Sequence, residues 1–480
     1  MFNQFQADLD WHAGPVKTLR MDDEIAITAD LGTYHQEITY REFNHLIRDC
    51  AALLTKNHLN HNHRIMVVGD NTDFIASVVW TWAVMYIGAT AANSSKAETP
   101  EQIHAKAKAA NCTAIVDING RLEFLQDVDT VTKGHPKEKY LLYSSGTTKK
   151  PEGVYTVTPQ FFTFPDDWNG GIAHIETLGL AYRFLGCRPF SQLACHGWEV
   201  AYAPHNVTQS LLAGGTYHWV KTPEQMPEAH ERYNVDMISN YPLSFDPIIN
   251  AWNEVQPKKP VYFVEVAGGI VTPQLIERLR DSLRPRIISN SYISSASGTI
   301  LSRTIDHNDN PEDCVWLEPP YLDPTLKLRQ DNNGVLWFKR KDGKYITDYD
   351  VFERKGKYYK LIGKAAEEFI EVAWGKVSTW KVEQFANQLT RTVWGCGEHT
   401  YAFSCNGIDG FTGVGLVYSG PLEIEKMRDH LSTADMTLRP EVVYHVKPEF
   451  WALNIKVSRD HMSQRLLDNH EYIINSTDVP

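Results

Sequence analysis

The strongest constraint on the fold of this 480-residue chain is an alternation of short apolar, β-rich runs with segments of helical periodicity. Arg64–Val68 (RIMVV), Thr113–Val116 (TAIV) and Tyr140–Tyr143 (YLLY) are such runs, and the rhythm continues through Val261–Val266 and the helical stretch Thr272–Leu283. Strand–helix alternation of this kind builds a parallel or mixed α/β sheet, because returning a strand parallel to its predecessor takes a crossover long enough to hold a helix. Between the runs, Glu37–Leu54 sets Phe43, Leu46, Ile47, Cys50, Leu53 and Leu54 at helical spacing behind Thr39, a candidate N-cap. An amphipathic helix is expected there.

Phe74–Ala92 (FIASVVWTWAVMYIGATAA) carries no charge and is nearly long enough to span a bilayer. Gly88 and the small residues after it interrupt the run, and no Lys/Arg cluster flanks it, so the expected structure is a buried helix ending near Ile87 and then a buried strand. The opening residues, MFNQFQADLDWHAGPVKTLR, place acids where a secretory signal needs basic residues and lack an apolar core, so export by that route is not expected.

Past Asn332 the text changes. GVLWFKRKDGKYITDYDVFERKGKYYKLIG reads as a β-meander with turns at Asp342-Gly343 and Lys355-Gly356, and a smaller α+β unit follows from about Gly363. A soft prior of about 150 residues per domain gives roughly three units, or two of which one is large. The division read from the sequence is a large domain over 1–362 and a small one over 363–480, without internal repeats or a Pro-rich linker.

Charge and cysteine usage exclude several classes. Lys and Arg total 47 against 59 Asp and Glu, a net charge of -12, which is the wrong sign for tracking polyphosphate nonspecifically. The seven cysteines are scattered singly with no CxxC pair, arguing against a disulfide framework and a thiolate metal site and pointing to the reducing cytoplasm.

Chemistry concentrates in Tyr143-Ser-Ser-Gly-Thr-Thr-Lys-Lys-Pro-Glu-Gly-Val154, a Ser/Thr/Gly-rich loop released from the YLLY run. Such a loop offers backbone N–H groups and hydroxyls to an anion, and its glycines permit close approach, so phosphate is its natural guest. A polar turn between strands is the alternative reading of the same composition. The Walker pattern is absent.

The whole dodecapeptide resembles the nucleotide loop of the adenylate-forming superfamily, which includes acyl-CoA synthetases, nonribosomal adenylation domains and luciferases. There the usual text is Tyr-Ser-Ser-Gly-Thr-Thr-Gly-x-Pro-Lys-Gly-Val. Further signatures of that superfamily follow in order over nearly the whole chain, from ITYREF near residue 38 onward. LLAGGT (211–216) resembles its LxxGAT segment, Ala267-Gly268-Gly269 its adenine loop, and Asn290-Ser-Tyr-Ile-Ser-Ser-Ala-Ser-Gly298 its Asn-x-Tyr-Gly-x-Thr-Glu-x-Gly. ITDYD is similar to the element whose aspartate, here Asp350, holds the ribose hydroxyls; a carboxylate accepts two hydrogen bonds from a vicinal diol. LIGKAAEEFIEVAWGKVSTWKVEQF resembles the interdomain hinge and following glycine loop, with Gly363 and Lys364 at the hinge, Gly375 on the loop and Glu383 on the next helix. Asn454-Ile-Lys-Val-Ser-Arg459 resembles the terminal motif that carries the catalytic lysine, here Lys456. Without the ordered series, Asp350 would read as a strand-end turn residue and Lys456 as a solvated charge.

The resemblance implies an α/β fold with a large N-terminal adenylate-forming-type domain and a small C-terminal α+β domain joined by a hinge, the active site lying between them. It implies ATP with Mg²⁺, and a carboxylic acid that attacks the α-phosphate to give an acyl-adenylate and pyrophosphate. Coenzyme A is the first acceptor implied, with a separate carrier protein, an amine or a hydroxyl as the alternative. Ser144, Ser145, Gly146, Thr147, Thr148, Lys149 and Lys150 would cradle the phosphates, and Gly268, Gly269 and Tyr292 the adenine. Ser295 would meet a phosphate or the metal shell, and Asp350 the ribose. Lys364 would stand at the hinge, and Lys456 would offset the charge of two anions brought together. No residue is assigned as a metal ligand.

Departures from the superfamily text are Lys149 for the second loop glycine, Glu152 for the loop lysine, Ile293 for the glycine after Tyr292, and Ala296 for the magnesium-binding glutamate. At the hinge, Ala366 replaces an acid or lysine and Lys364 an arginine, keeping charge without the bidentate fork. A catalytically silent nucleotide- or acyl-binding relative is the alternative that Glu152 and Ala296 motivate. His58, His61 and His63 form a short loop of no standard zinc spacing. His196 and His205 fall where a substrate-side segment belongs or are satisfied core or loop histidines. GVGLVYSG (413–420) reads as a glycine-containing strand rather than a phosphate loop.

Overall fold

The structure is a computed structural model. It describes residues 23–143 (except 33, 136 and 137), 157–160, 191–198, 202–212, 215–294, 298–319, 326–339 (except 333), 345–347, 350–364, 369–372, 375–394, 400–406, 412–447 (except 436 and 437), 450 and 462–479.

The alternation produces two large sheets with parallel centres and antiparallel edges. In the six-stranded sheet, Ala114–Asp117, Arg64–Gly69, Thr90–Ser95 and Tyr140–Tyr143 run parallel, flanked by antiparallel Leu122–Phe124 and Val157–Gln160. In the eight-stranded sheet, six parallel strands lie in the order Ile287–Ser294, Phe263–Ala267, Met237–Asn240, Ser191–Ala194, Thr216–Val220, Ile25–Asp30. Gly298–Ile305 and His35–Thr39 close its edges antiparallel. Strands such as Thr216–Val220 and Phe263–Ala267 are buried along their whole length, because both faces of the sheet are covered.

Phe74–Tyr86 is the expected buried helix, capped by Asp73, and Thr90–Ser95 is the buried strand after it. Phe74 stacks on Trp219 at 4.7 Å between ring centres and meets Trp198 edge-on at 5.5 Å, in a core that joins residues of both sheets. Among the described residues no helix is long and apolar enough to cross a membrane. Thr39 caps Tyr40–Lys56 through a capping box with Glu42, as its sequence anticipates. The buried face of that helix corrects the expectation: Tyr40, Phe43, Ile47, Ala51 and Leu54 form it, while Leu46 and Leu53 remain 43% and 36% exposed. The stripe steps by three and four residues from Tyr40, which leaves those two leucines on its flank.

The meander appears as Leu328–Gln330, Leu336–Lys339 and Tyr345–Ile346 in one antiparallel sheet and Asp350–Lys355 with Tyr358–Lys364 as a hairpin. Leu301, Phe338, Phe352 and Tyr359 share its core with Tyr292. From Ile370 onward a separate core forms from Val382, Leu416, Met427 and Val443, among others. It is built on the hairpin Phe369–Val372/Gly375–Ser378, the sheet Thr400–Asn406, Thr412–Ser419, Val442–Val446 and Ile473–Asp478, and helices Thr379–Trp394 and Ile424–Ser432. GVGLVYSG lies within the Thr412–Ser419 strand and its end, as expected.

Candidate nucleotide and acid site

In a doubly wound sheet ligands bind beyond the carboxyl ends of the strands where the strand order reverses. That reversal occurs at Ser191–Ala194: the chain next adds Thr216–Val220 on one side and then crosses to Met237–Asn240 on the other. The residues just past these ends are His196, Tyr241 and the pair Gly268-Gly269, with Tyr292 on the neighbouring strand.

Gly268 has φ +80°, and a Cβ there would stand 2.5 Å from Cε1 of Tyr241. Glycine is therefore required twice, for the backbone and for the approach of the ring. Tyr241 is buried, its backbone N–H donates to Asn240 Oδ1 at 2.9 Å, and it meets His196 edge-on at 5.1 Å. His196 Nε2 lies 3.1 Å from the Ser239 carbonyl, to which it donates, and burial pushes its pKa down to about 4, so the ring is neutral. Ser239 in turn donates to Glu265 at 2.6 Å inside the sheet. Asn240 Nδ2 donates to Cys195 Sγ at 3.1 Å, and burial pushes that thiol up to about 12, which removes it as a nucleophile.

Ala267 pairs with Ser291, so Gly268 and Tyr292 are the next residues along two adjacent strands. The Tyr292 hydroxyl donates to Asp350 Oδ2 at 2.6 Å, a buried contact between residues 58 apart in sequence, and Phe352 meets the tyrosine ring edge-on at 5.0 Å. A register shift between Tyr292 and Ile293 marks the position where this chain departs from the superfamily text. Asp350 opens its strand and shares a ladder rung with Lys364, as Val351 does with Gly363, so the aspartate is joined to this stretch by backbone pairing.

Of the residues selected from sequence, Gly268, Gly269, Tyr292 and Asp350 thus gather at one end of the large sheet, with the Lys364 backbone beside Asp350. Ser144, Ser145, Gly146, Thr147, Thr148, Lys149, Lys150, Glu152, Ser295, Ala296, Ala366 and Lys456 lie outside the described residues, as does the side chain of Lys364. The 144–154 segment follows the carboxyl end of Tyr140–Tyr143 in sequence, and the Tyr143 hydroxyl donates to the Lys106 carbonyl. Glu383 accepts from the Ala402 backbone N–H at 2.8 Å, fastening its helix to the small sheet. His63 uses both ring nitrogens on Asn60 and Val128 and is a structural histidine. His205 lies in the helix Tyr202–Leu212, its side chain outside the description. Sequence reading passed over Tyr241 and Asn240; the signal was the apolar run before Asn240-Tyr241-Pro242, an aromatic at the end of a buried strand.

No protein-family model matches the chain, and no curated protein matches it in sequence. Solved structures match in fold. O-succinylbenzoate coenzyme A synthetase (MenE) from Bacillus subtilis in complex with AMP is 13% identical, with a TM-score of 0.64 over 88% of this chain and 92% of that one. ATP-bound MatB from Rhodopseudomonas palustris is 13% identical, with a TM-score of 0.65 over 92% and 94%. The amide bond synthetase McbA from Marinactinospora thermotolerans is 15% identical, with a TM-score of 0.64 over 90% and 96%. The chain has the two-domain fold of adenylate-forming enzymes over nearly its whole length.

Proposed function

We propose that this chain, which has the adenylate-forming fold, is a ligase that activates a carboxylic acid with ATP and passes the acyl group to an acceptor, coenzyme A first among them. The observation that carries the reading is the buried Tyr292–Asp350 hydrogen bond beside the Gly268–Tyr241 contact, at the strand ends where such a sheet binds its ligands. An aromatic ring against a glycine turn suits a flat base, and a carboxylate held in place by a tyrosine suits a diol. The neighbours in fold include chains bound to AMP and to ATP.

In the first step an oxygen of the acid forms a bond to the α-phosphorus, the bond from that phosphorus to the bridging oxygen breaks, and pyrophosphate leaves. Asp350 orients the ribose, and Tyr292 fixes the carboxylate rotamer by its hydrogen bond. Residues 144–150 hold the phosphates, which carry Mg²⁺ with them, and Lys456 offsets the charge of the approaching carboxylate. Lys149 and Lys150 supply the positive charge that the loop lacks at Glu152. In the second step the acceptor's nucleophile displaces AMP from the acyl carbon. The domains are 1–362 and 363–480, a division supported by the separate core that begins at Ile370. Compartment follows from cysteine usage and is the cytoplasm.

The test is ATP–pyrophosphate exchange over a panel of carboxylic acids, amino acids included, followed by acceptor trials with coenzyme A, amines and hydroxyl compounds. Exchange dependent on one acid class supports the reading. No exchange with any acid, together with no AMP binding, refutes it.

A further inference from the structure

The two large sheets meet through an apolar core, and a polar joint crosses it. Asn93 lies on Thr90–Ser95 of the six-stranded sheet, and Trp198 follows Ser191–Ala194, a central strand of the eight-stranded one. Both side chains are buried. The Asn93 amide has an orientation that satisfies both of its ends. Its Oδ1 then accepts from the Trp198 indole N–H at 2.9 Å and from the Tyr140 hydroxyl at 2.6 Å, while its Nδ2 donates to the Ala92 carbonyl at 3.2 Å and to Thr81 Oγ1 at 3.3 Å. One oxygen thus gathers a donor from each side of the core. The Trp198 backbone N–H donates to Asn71 Oδ1 at 2.8 Å, and a Cβ on Gly69 would collide with the indole. Residues of the six-stranded sheet and the turn after Arg64–Gly69 therefore hold Trp198 by its ring and by its backbone.

The far side of the joint belongs to the base end of the site. Two residues before Trp198, the His196 carbonyl accepts from Trp219 Nε1 at 2.8 Å. The His196 ring bonds the Ser239 carbonyl and stands edge-on to Tyr241, the residue that packs on Gly268. Tyr140, the second donor to Asn93, opens the strand after which residues 144–150 follow in sequence. An apolar contact such as Phe74 against Trp198 tolerates small displacements, whereas a satisfied buried hydrogen-bond network specifies one arrangement. The joint therefore fixes where the Tyr241 end of one sheet stands relative to the Tyr140–Tyr143 strand of the other.

We propose that Asn93 and Trp198 are positioning residues that set the span between the base end of the nucleotide site, at Tyr241 and Gly268, and its phosphate end, in the residues that follow Tyr143 in sequence. This rests on the nucleotide-binding reading above and adds to it two residues outside the motifs that suggested it. They act through His196 on one side and Tyr140 on the other. A ligand confined to one end is indifferent to the span, and a ligand that bridges both ends depends on it.

The experiment titrates adenosine, confined to the base end, and Mg-ATP, which bridges both ends, into the full chain by calorimetry. The native protein is compared with Trp198→Phe, which keeps an aromatic ring and removes the indole N–H, with Asn93→Leu, and with Phe43→Leu, a control in the same core where Phe43 packs on Trp82. Trp198→Phe and Asn93→Leu should weaken ATP about tenfold and hold adenosine within about twofold of native. In pyrophosphate exchange the loss should fall on the KM for ATP and not on the KM for the acid. Phe43→Leu should lower the melting temperature and leave the ratio of the two affinities at its native value. If Asn93→Leu fails to fold, Trp198→Phe carries the test. Equal weakening of adenosine and ATP in Trp198→Phe, or unchanged ATP affinity, would overturn the proposal. A native protein that binds neither ligand would refute the reading above, and hydrogen exchange then decides the joint. Faster exchange over 195–198 and 237–241 in Trp198→Phe than in Phe43→Leu supports it, and equal exchange overturns it.

Discussion

Gly268→Ala separates the two demands made on that glycine, because the structure supplies a control. At Gly268 the backbone is left-handed and a Cβ would lie 2.5 Å from the Tyr241 ring, roughly 1 Å inside ordinary carbon contact of about 3.5–4 Å. At Gly356, the tip of the 350–364 hairpin, φ is +62° and nothing stands within 4 Å of the added carbon. Gly356→Ala therefore reports only the left-handed penalty of about 1–2 kcal/mol. Gly268→Ala should add about 1–3 kcal/mol of overpacking, for a total of about 2–5 kcal/mol, as Tyr241 is pushed from its place against His196. Chemical denaturation followed by tryptophan fluorescence measures both, and AMP titration gives the functional arm. AMP affinity should fall with Gly268→Ala and stay at the native value with Gly356→Ala. Equal destabilisation by the two substitutions, with unchanged AMP binding in both, would refute the close approach and the role of this turn in holding the base.

Asp350→Ala should weaken AMP by about 1.5–3 kcal/mol, the range for hydrogen bonds to a charged group, and should abolish discrimination between AMP and 2′-deoxy-AMP in calorimetry. Tyr292→Phe should weaken AMP less while keeping that discrimination, since the carboxylate remains and only its orientation is loosened. Lys456→Ala should suppress pyrophosphate exchange with no change in melting temperature, because the lysine acts on charge at the reacting centre; unchanged exchange kinetics would show the C-terminal match to be accidental. His196, neutral in the fold with a pKa near 4 against 6.5 in the unfolded chain, makes the unfolded state bind more protons between those values. Stability should rise with pH across that window and level off above it, by about 3 kcal/mol, and His196→Gln should flatten the rise in denaturation curves taken from pH 4 to 7. Limited proteolysis of the ligand-free protein should cut first near the Lys364–Gly375 segment; first cuts well inside residues 140–330 would contradict the proposed boundary.

Much of the architecture was legible because burial on both faces writes strands as continuous apolar runs, and because Thr39 caps its helix as its position suggests. The Phe74–Tyr86 helix could be told from a membrane span by Gly88, the small residues after it and the lack of a flanking Lys/Arg cluster. Periodicity located the Tyr40–Lys56 helix but misplaced its face, since Leu46 and Leu53 are as apolar as the residues that tertiary contacts chose instead. At the site, Gly268, Tyr292 and Asp350 were named from motif text, which identifies residue types at fixed spacing. Tyr241 has no such text. Its place beside Gly268 depends on which strands the chain places side by side, and the sheet order in which Met237–Asn240 follows Ser191–Ala194 in space but not in sequence is a property of topology alone.

The rung shared by Asp350 and Lys364 also limits how this region can vary in length over evolution. A single residue inserted in either strand of the hairpin would slip the ladder and turn the following side chains to the opposite face, separating Asp350 from its place opposite Lys364. Residues added at the Gly356 tip leave the rung untouched. Insertions among homologues should therefore gather at that tip, while the two arms between it and the Asp350–Lys364 rung keep a constant length however far the rest of the sequence drifts.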